Sequence, residues 1–215
     1  MAVAELPFDL VEAKLAGPSI RPGTVAKTDV IADLCASRAP LVTVIAPAGY
    51  GKTTFLARLA EADPRPFAWV ALDSRDDDTV VLLRYVAAAM HRLEPLPPEV
   101  FEGLSGGGGS GWTERVVRLG NALAAREQPF VLAFDDLHAI VNTSCLDVLA
   151  ELLESVPAGS QIAVASREEP ALPLGRLRAH GRLHELGPAE LRLDEREAEL
   201  LLRAAGIELG EDELN

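Results

Sequence analysis

Residues Ala46 to Thr53, APAGYGKT, follow directly on an apolar run, LVTVI. They match the phosphate-loop pattern G-x-x-x-x-G-K-[ST], except that Ala46 stands at the first glycine. In such a loop the backbone amides between a strand and a helix turn inward around phosphate oxygens, and the helix dipole adds to their attraction. Gly49 and Gly51 supply conformational freedom where that wrap is tightest. Lys52 brings an ammonium to the outer phosphates, and the Thr53 hydroxyl is suited to Mg²⁺. The first loop position is where the strand turns, so a methyl group fits there if its φ is ordinary. Ala46 therefore weakens the pattern and removes none of its chemical groups. The expected chemistry of Ala46, Pro47, Ala48, Gly49, Tyr50, Gly51, Lys52 and Thr53 is nucleotide binding.

Two further features belong to the same chemistry. FVLAFDD, ending at Asp136, is an apolar run closed by two carboxylates. Magnesium on a phosphate chain calls for a carboxylate at the end of a neighbouring parallel strand, the place of Asp135. Asp136, next in line, is placed to polarise an attacking water as a general base. Alone, such a run is a weak signal, because strand ends carry Asp for turn reasons. Downstream of a phosphate loop, with one further strand (67–72) between, it suits the P-loop ATPases whose acidic strand is not next in sequence. In that class the strand 161–165 lies beside the phosphate-loop strand, which brings Arg167 near a γ-phosphate. A guanidinium there favours triphosphate over diphosphate. The alternative is a surface arginine paired with Glu168 or Glu169.

These residues need a scaffold, and the pattern supplies one. Strands are expected over 41–46, 67–72, 130–134, 161–165 and 183–186, and helices over 28–37, 53–62, 79–92, 113–127 and 144–155. A last helix opens with the capping-box arrangement Asp194-Glu195-Arg196-Glu197 and ends at Gly206. Apolar strands alternating with helices imply an α/β fold, a P-loop NTPase with a parallel five-stranded sheet flanked by helices. Residues 1–23 read as an irregular N-terminal arm and 24–190 as the nucleotide-binding domain. Within it, 94–112 is a flexible Pro/Gly-rich loop, whose GGGGSG also resembles an engineered linker. Residues 191–215 read as the truncated start of a helical lid. DSRDDD (73–78) invites a metal hypothesis, but Asp76 to Asp78 are better explained by the dipole of the helix that follows.

Bulk properties narrow the partners. The 215 residues carry 33 acidic against 20 basic side chains, a formal charge of −13. So acidic a surface repels nucleic-acid backbones and anionic lipid. Cys35 and Cys145 lie in no metal-ligand pattern and read as reduced, packed thiols. His180 and His184 have the spacing of a helical metal pair, but Gly181 between them argues for an extended stretch. The N-terminus is acidic where a secretory signal is basic, and no stretch approaches a membrane span, so the expected location is cytoplasmic with no membrane partner.

APAGYGKTT, WVALDSRDDD…LLRYV, FVLAFDDLH, IAVASRE and LPLGRLRAHGRLHEL together resemble the nucleotide-binding domain of MalT-like, large LuxR-type bacterial transcriptional regulators, within the STAND group of signal-transduction ATPases. The resemblance extends from KLAGPSIRPG to LRLDEREAELLL, and that family's loop also begins with Ser or Ala. It implies ATP or ADP with Mg²⁺, slow hydrolysis, and a switch between a closed ADP form and an open, self-associating ATP form. It also implies cofactor contacts from Ala46 to Thr53 with the adjoining Thr54, and Val25, within RPGTV, beside the adenine. Thr53 and Asp135 would hold the metal, Lys52 and Asp136 would serve hydrolysis, and Arg167 would sense the γ-phosphate. Lys27 stands where the family more often has Arg. DNA binding would belong to a further C-terminal domain. Beside this switch, two classes stay open: a P-loop ATPase whose turnover is its output, and a module that holds nucleotide without hydrolysing it.

Overall fold

A computed structural model describes residues 6–21, 23–105, 111–204 and 206–207 of the chain. In chain order the helices are α1 (Thr28–Ala36), α2 (Lys52–Ala62), α3 (Thr79–Leu93), α4 (Pro98–Ser105), α5 (Trp112–Ala124), α6 (Thr143–Glu154), α7 (Leu174–Ala179), α8 (Pro188–Leu191) and α9 (Glu195–Ala204). The strands are β1 (Leu41–Ile45), β2 (Phe67–Ala71), β3 (Val131–Asp135), β4 (Gln161–Ser166) and β5 (Leu183–Leu186). All pair in parallel, in the order β2-β3-β4-β1-β5. The α/β fold with five parallel strands agrees with the pattern read from sequence, and β4 does lie between β1 and the acidic strand β3.

Side chains alternate across the sheet, so each strand feeds two cores. Leu41, Leu132, Phe134, Ile162 and Val164 face one layer, filled by α3 to α7. Val42, Val44, Ala133, Ala163 and Ala165 face the other, where α1, α2 and α8 pack. The central strands are buried on both faces, which is why their sequences are continuous apolar runs. On the α2 side, β3 and β4 present Ala133, Ala163 and Ala165 beyond Val131, where the other side has Leu, Phe, Ile and Val. Small side chains let α2 lie close to the sheet, with Phe55, Leu56 and Leu59 filling the interval. That packing fixes the start of α2, and so the loop before it.

Three expectations need correction. The segment 94–112 is not a flexible loop throughout. Pro98–Ser105 is a helix with Val100, Phe101 and Leu104 buried, spaced to form one face, and Pro98 suits its first turn. The Arg84 guanidinium donates to the Leu104 carbonyl through Nε at 2.9 Å and Nη2 at 2.7 Å, which satisfies the end of α4. The Pro and Gly content masked this short amphipathic pattern. Most of the GGGGSG stretch (106–110) lies outside the described residues. The N-terminal segment is likewise more than an irregular arm. It forms a 3-10 turn at Glu12–Leu15 that buries Lys14 and Leu15. Lys14 Nζ pairs with Asp76 at 2.6 Å and Asp73 at 2.8 Å. Asp76 is thereby an anchor for the arm, and only Asp78 caps α3, accepting from the amides of Val80 and Val81. Asp77 instead accepts from the amides of Val141 and Asn142. His180 ends α7 and His184 lies in β5, so the two share no helix.

No helix among the described residues is long and apolar enough to cross a membrane.

Candidate functional site

The loop between β1 and α2 takes its shape from two glycines in the left-handed region, Gly49 (φ 85°) and Gly51 (φ 75°). A Cβ at either would meet nothing within 4 Å, so backbone conformation rather than space requires glycine there. Ala46 is not at positive φ; it is buried, its methyl in the core with Val44 and Phe55, and its amide donates to the Ser166 carbonyl at 3.2 Å. Alanine at the first loop position is thus compatible with the turn. Gly51 caps α2, its carbonyl accepting from Phe55 N at 2.8 Å, and the first-turn amides of α2 are left facing the loop.

Lys52 and Thr53 open that helix. Lys52 is 6% exposed, and its Nζ donates to the Pro47 carbonyl at 3.0 Å, laying the ammonium across the loop's hollow. Thr53 Oγ1 donates to Asp135 Oδ1 at 3.1 Å, across from α2 to the end of β3. Burial is the main force holding the Asp135 carboxyl above the ordinary carboxylate range; the Thr53 hydroxyl bond works against it, and the neighbouring Asp136 charge adds to it. The carboxylate of Asp135 and the hydroxyl of Thr53 set two oxygens side by side, the donor type a hard divalent cation takes.

Asp136 is the one residue besides glycine at positive φ among those described, with φ 57° and ψ 40°. Its amide donates to Asp135 Oδ1 at 3.1 Å, and its carbonyl accepts from Ala139 N at 2.9 Å, so a turn pinned by buried Leu137 holds the strain. The carboxylate is half exposed, with His138 Nδ1 3.8 Å away. Arg167 follows β4, whose Ser166 lies level with Ile45 of β1. Arg167 is exposed and has no ion-pair partner among the described residues, so it is not tied to Glu168 or Glu169. The fold thus brings Lys52, Thr53 and Asp135 together, sets Asp136 beside them, and leaves Arg167 at the same end of the sheet but out of contact.

A cavity of about 550 Å³ opens from the loop toward α8 and α9. Gly49, Tyr50, Gly51 and Thr54 form its phosphate-loop side, and Val25 lies in its wall. Phe55, Leu191 and Leu201 add an apolar surface, and Lys27, Arg58 and Arg192 bring positive charge. Sequence reading missed Arg58, Leu191 and Leu201. Thr54, Phe55 and Arg58 share one face of α2, and that periodicity was the available signal for Arg58. Leu191 of α8 and Leu201 of α9 had none, because their placement is tertiary.

The residues present fit a Mg²⁺–nucleotide. The loop offers amides and an ammonium to phosphates, Thr53 and Asp135 offer oxygens to a cation, and the cavity offers apolar walls to a base.

Comparison with known proteins gives the same answer at the level of fold and family. The chain is 28% identical over 195 residues to the serine/threonine-protein kinase PknK of Mycobacterium tuberculosis, covering 88% of this chain and 18% of that protein, with the same figures for PknK of Mycobacterium bovis. The chain therefore spans about a fifth of the length of these relatives. Among solved structures, Cdc6p from Pyrobaculum aerophilum superimposes with a TM-score of 0.56 at 15% identity, over 92% of this chain and 54% of that one. The STAND protein PH0952 from Pyrococcus horikoshii, which has a tetratricopeptide repeat sensor, does so with a TM-score of 0.53 at 14% identity, over 99% and 29%. Residues 28–165, from α1 through most of β4, match the AAA ATPase domain family, and the chain belongs to that family of P-loop ATPases.

Proposed function

We propose that this domain is a nucleotide-operated switch, which holds ATP or ADP with Mg²⁺, hydrolyses ATP slowly and so sets the state of a larger signalling protein. The observation that carries this reading is the 3.1 Å bond between Thr53 and Asp135 beneath a loop shaped by two left-handed glycines. Lys52 and the loop amides from Ala46 to Thr53, with the adjoining Thr54, bind the phosphates. Thr53 and Asp135 hold Mg²⁺, whose chemistry is to neutralise charge on the phosphate oxygens. Asp136 orients water and accepts its proton, while Arg167 distinguishes triphosphate from diphosphate. Val25, in the cavity wall, lies against the base.

For the parent protein we infer a MalT-type, LuxR-class transcriptional regulator acting in the cytoplasm. It self-associates in its ATP state and reaches DNA only through a further C-terminal domain. The formal charge of −13 supports assigning DNA contact elsewhere. A second parent is favoured by the likeness to PknK: the same switch coupled to a protein kinase. The domains that adjoin this one in the full-length protein decide between the two.

Isothermal titration of the purified chain with ATP and ADP, with and without Mg²⁺, tests the switch reading. Micromolar or tighter binding is expected, with turnover on the order of 10⁻³ s⁻¹, the scale of unassisted phosphoryl-transfer switches. Fast multiple turnover without a stimulus would favour an enzyme whose product is the output. Binding with no turnover would favour a holder, and no binding would end the proposal.

A further inference from the structure

The segment Thr24–Lys27 touches both sides of the cavity. At its start, the Thr24 carbonyl accepts a hydrogen bond from Arg58 Nη2 at 2.9 Å, tying the segment to the phosphate-loop helix. At its end, Lys27 Nζ donates to the Arg192 carbonyl at 2.6 Å and to Glu197 Oε2 at 2.5 Å. The two paired side chains are 16% and 18% exposed, so the pair is largely shielded from water.

Glu197 has a second task. Its Oε2 accepts from Asp194 N at 2.9 Å, and its own amide donates to Asp194 Oδ1 at 2.8 Å. The carboxylate that caps α9 is thus the one that Lys27 holds. α9 buries none of its residues, and Leu200 and Leu201 are 59% and 43% exposed, so burial does little to hold the helix in place. Among the described residues, Lys27–Glu197 is the one ion pair that joins α9 to the rest of the chain. The approach is close: a Cβ built on Gly23 (φ 81°) would stand 2.1 Å from the Cβ of Ala204. Leu201, on the same helix, lines the cavity.

We infer that Lys27 and Glu197 are a positioning pair that holds α9 as the outer wall of the cavity's base half, so that nucleotide affinity depends on an ion pair in the lid. The inference rests on the nucleotide-binding reading above. Neither residue carries the phosphates. If the wall is in place only part of the time, apparent affinity falls by that fraction, and a ligand that touches the wall must in turn raise its occupancy.

Hydrogen exchange over residues 188–204 in the nucleotide-free chain, together with titration of ADP, provides the test. Lys27→Met removes the cation. Glu197→Gln removes the charge but retains an acceptor for the helix cap. K27M/E197Q removes both charges. For either single variant we expect exchange over 188–204 to quicken about fivefold with sheet amides unchanged, and ADP affinity to weaken by about threefold to tenfold, the scale of one partly buried ion pair. The double variant should lose little more than the worse single variant in both measurements. Unchanged exchange in Lys27→Met overturns the inference, as do single losses that add in the double variant, or a loss of protection spread through the whole sheet. Should the unsubstituted chain bind no ADP, the nucleotide reading fails, and the exchange comparison alone decides the pair.

Discussion

The proposed phosphate and metal site is carried by elements sunk in the sheet, whereas the cavity beside it is closed by a short segment and a helix with no fully buried residue. Lys52, Thr53 and Asp135 issue from α2 and β3, whose positions are fixed by Phe55, Leu56, Val131 and Ala133 in one close-packed core. In the cavity wall, Val25 lies on an irregular segment and Leu201 on α9, elements joined by a single ion pair among the described residues. The difference teaches which requirement needs which support. Phosphate and metal contacts fail with small displacements, so their groups are set by buried packing. An apolar wall tolerates movement and can be held by a reversible tie.

The strongest way to break the comparison is at Lys52. Among the described residues its ammonium makes one hydrogen bond, to its own loop, and Lys52 is not part of either apolar core. Lys52→Ala should therefore weaken ATP and ADP by about a hundredfold or more, the loss of a shielded charge–phosphate contact, with the melting temperature changed by only a few degrees. Unchanged affinity by titration would remove the phosphate end from the reading altogether.

Asp136→Asn probes the same end with a finer change. Asparagine tolerates the left-handed backbone of Asp136 better than almost any other side chain, so the turn should survive. Hydrolysis should fall by about a hundredfold while ATP binding stays within a few-fold, the size expected for loss of a general base. A variant that binds ATP poorly would mean that Asp136 holds the metal or the fold instead. Asp136→Val is the contrast, since a β-branched residue at φ 57° should destabilise the chain by about 1–2 kcal/mol.

The same contrast explains what the sequence disclosed. β1, β3 and β4 were legible because a strand buried on both faces must be an apolar run, and APAGYGKT was legible because glycine and lysine spacing reports local backbone chemistry. Asp135 was legible because it ends such a run. The far wall of the cavity was not, because Leu191 and Leu201 enter it through the packing of α8 and α9, which leaves no spacing signal. Lys27 was visible only as a substitution, with no hint that Glu197 lay beside it across the fold. α4 was missed for a different reason: Pro98 and the nearby glycines mark loop ends, and three apolar residues at 100, 101 and 104 were too short a pattern to outweigh them.

Arg167→Ala asks whether the phosphate end reads the third phosphate. The guanidinium has no ion-pair partner among the described residues, so its removal breaks no internal pair. ATP affinity should drop by about tenfold with ADP nearly unchanged, as expected for one charge-assisted contact. Equal losses for both nucleotides would take the sensing role from Arg167.

The smallest effect concerns what keeps α2 rigid, at the far end of that helix. Asp63 is buried and accepts from Arg65 N and Nε at 2.9 Å and from Arg65 Nη2 at 2.5 Å. Arg65 reaches on to the Gly159 carbonyl and Gln161 Oε1, both at 2.7 Å, joining α2 to the start of β4. Burial by itself would raise the Asp63 carboxyl, but the Arg65 bonds and charge outweigh it and leave it below its ordinary value of 3.8. A depressed carboxyl contributes stability that is present above 3.8 and is lost as pH falls through the lower folded value. Asp63→Asn should thus cost about 1 kcal/mol at neutral pH, and the gap to the unsubstituted chain should narrow as pH falls below 3.8 through the lower folded value. Urea unfolding at a series of pH values measures it. A gap that is independent of pH would mean that the Asp63–Arg65 contact acts through shape and hydrogen bonding alone, and that α2 owes its rigidity to the apolar core rather than to this charge.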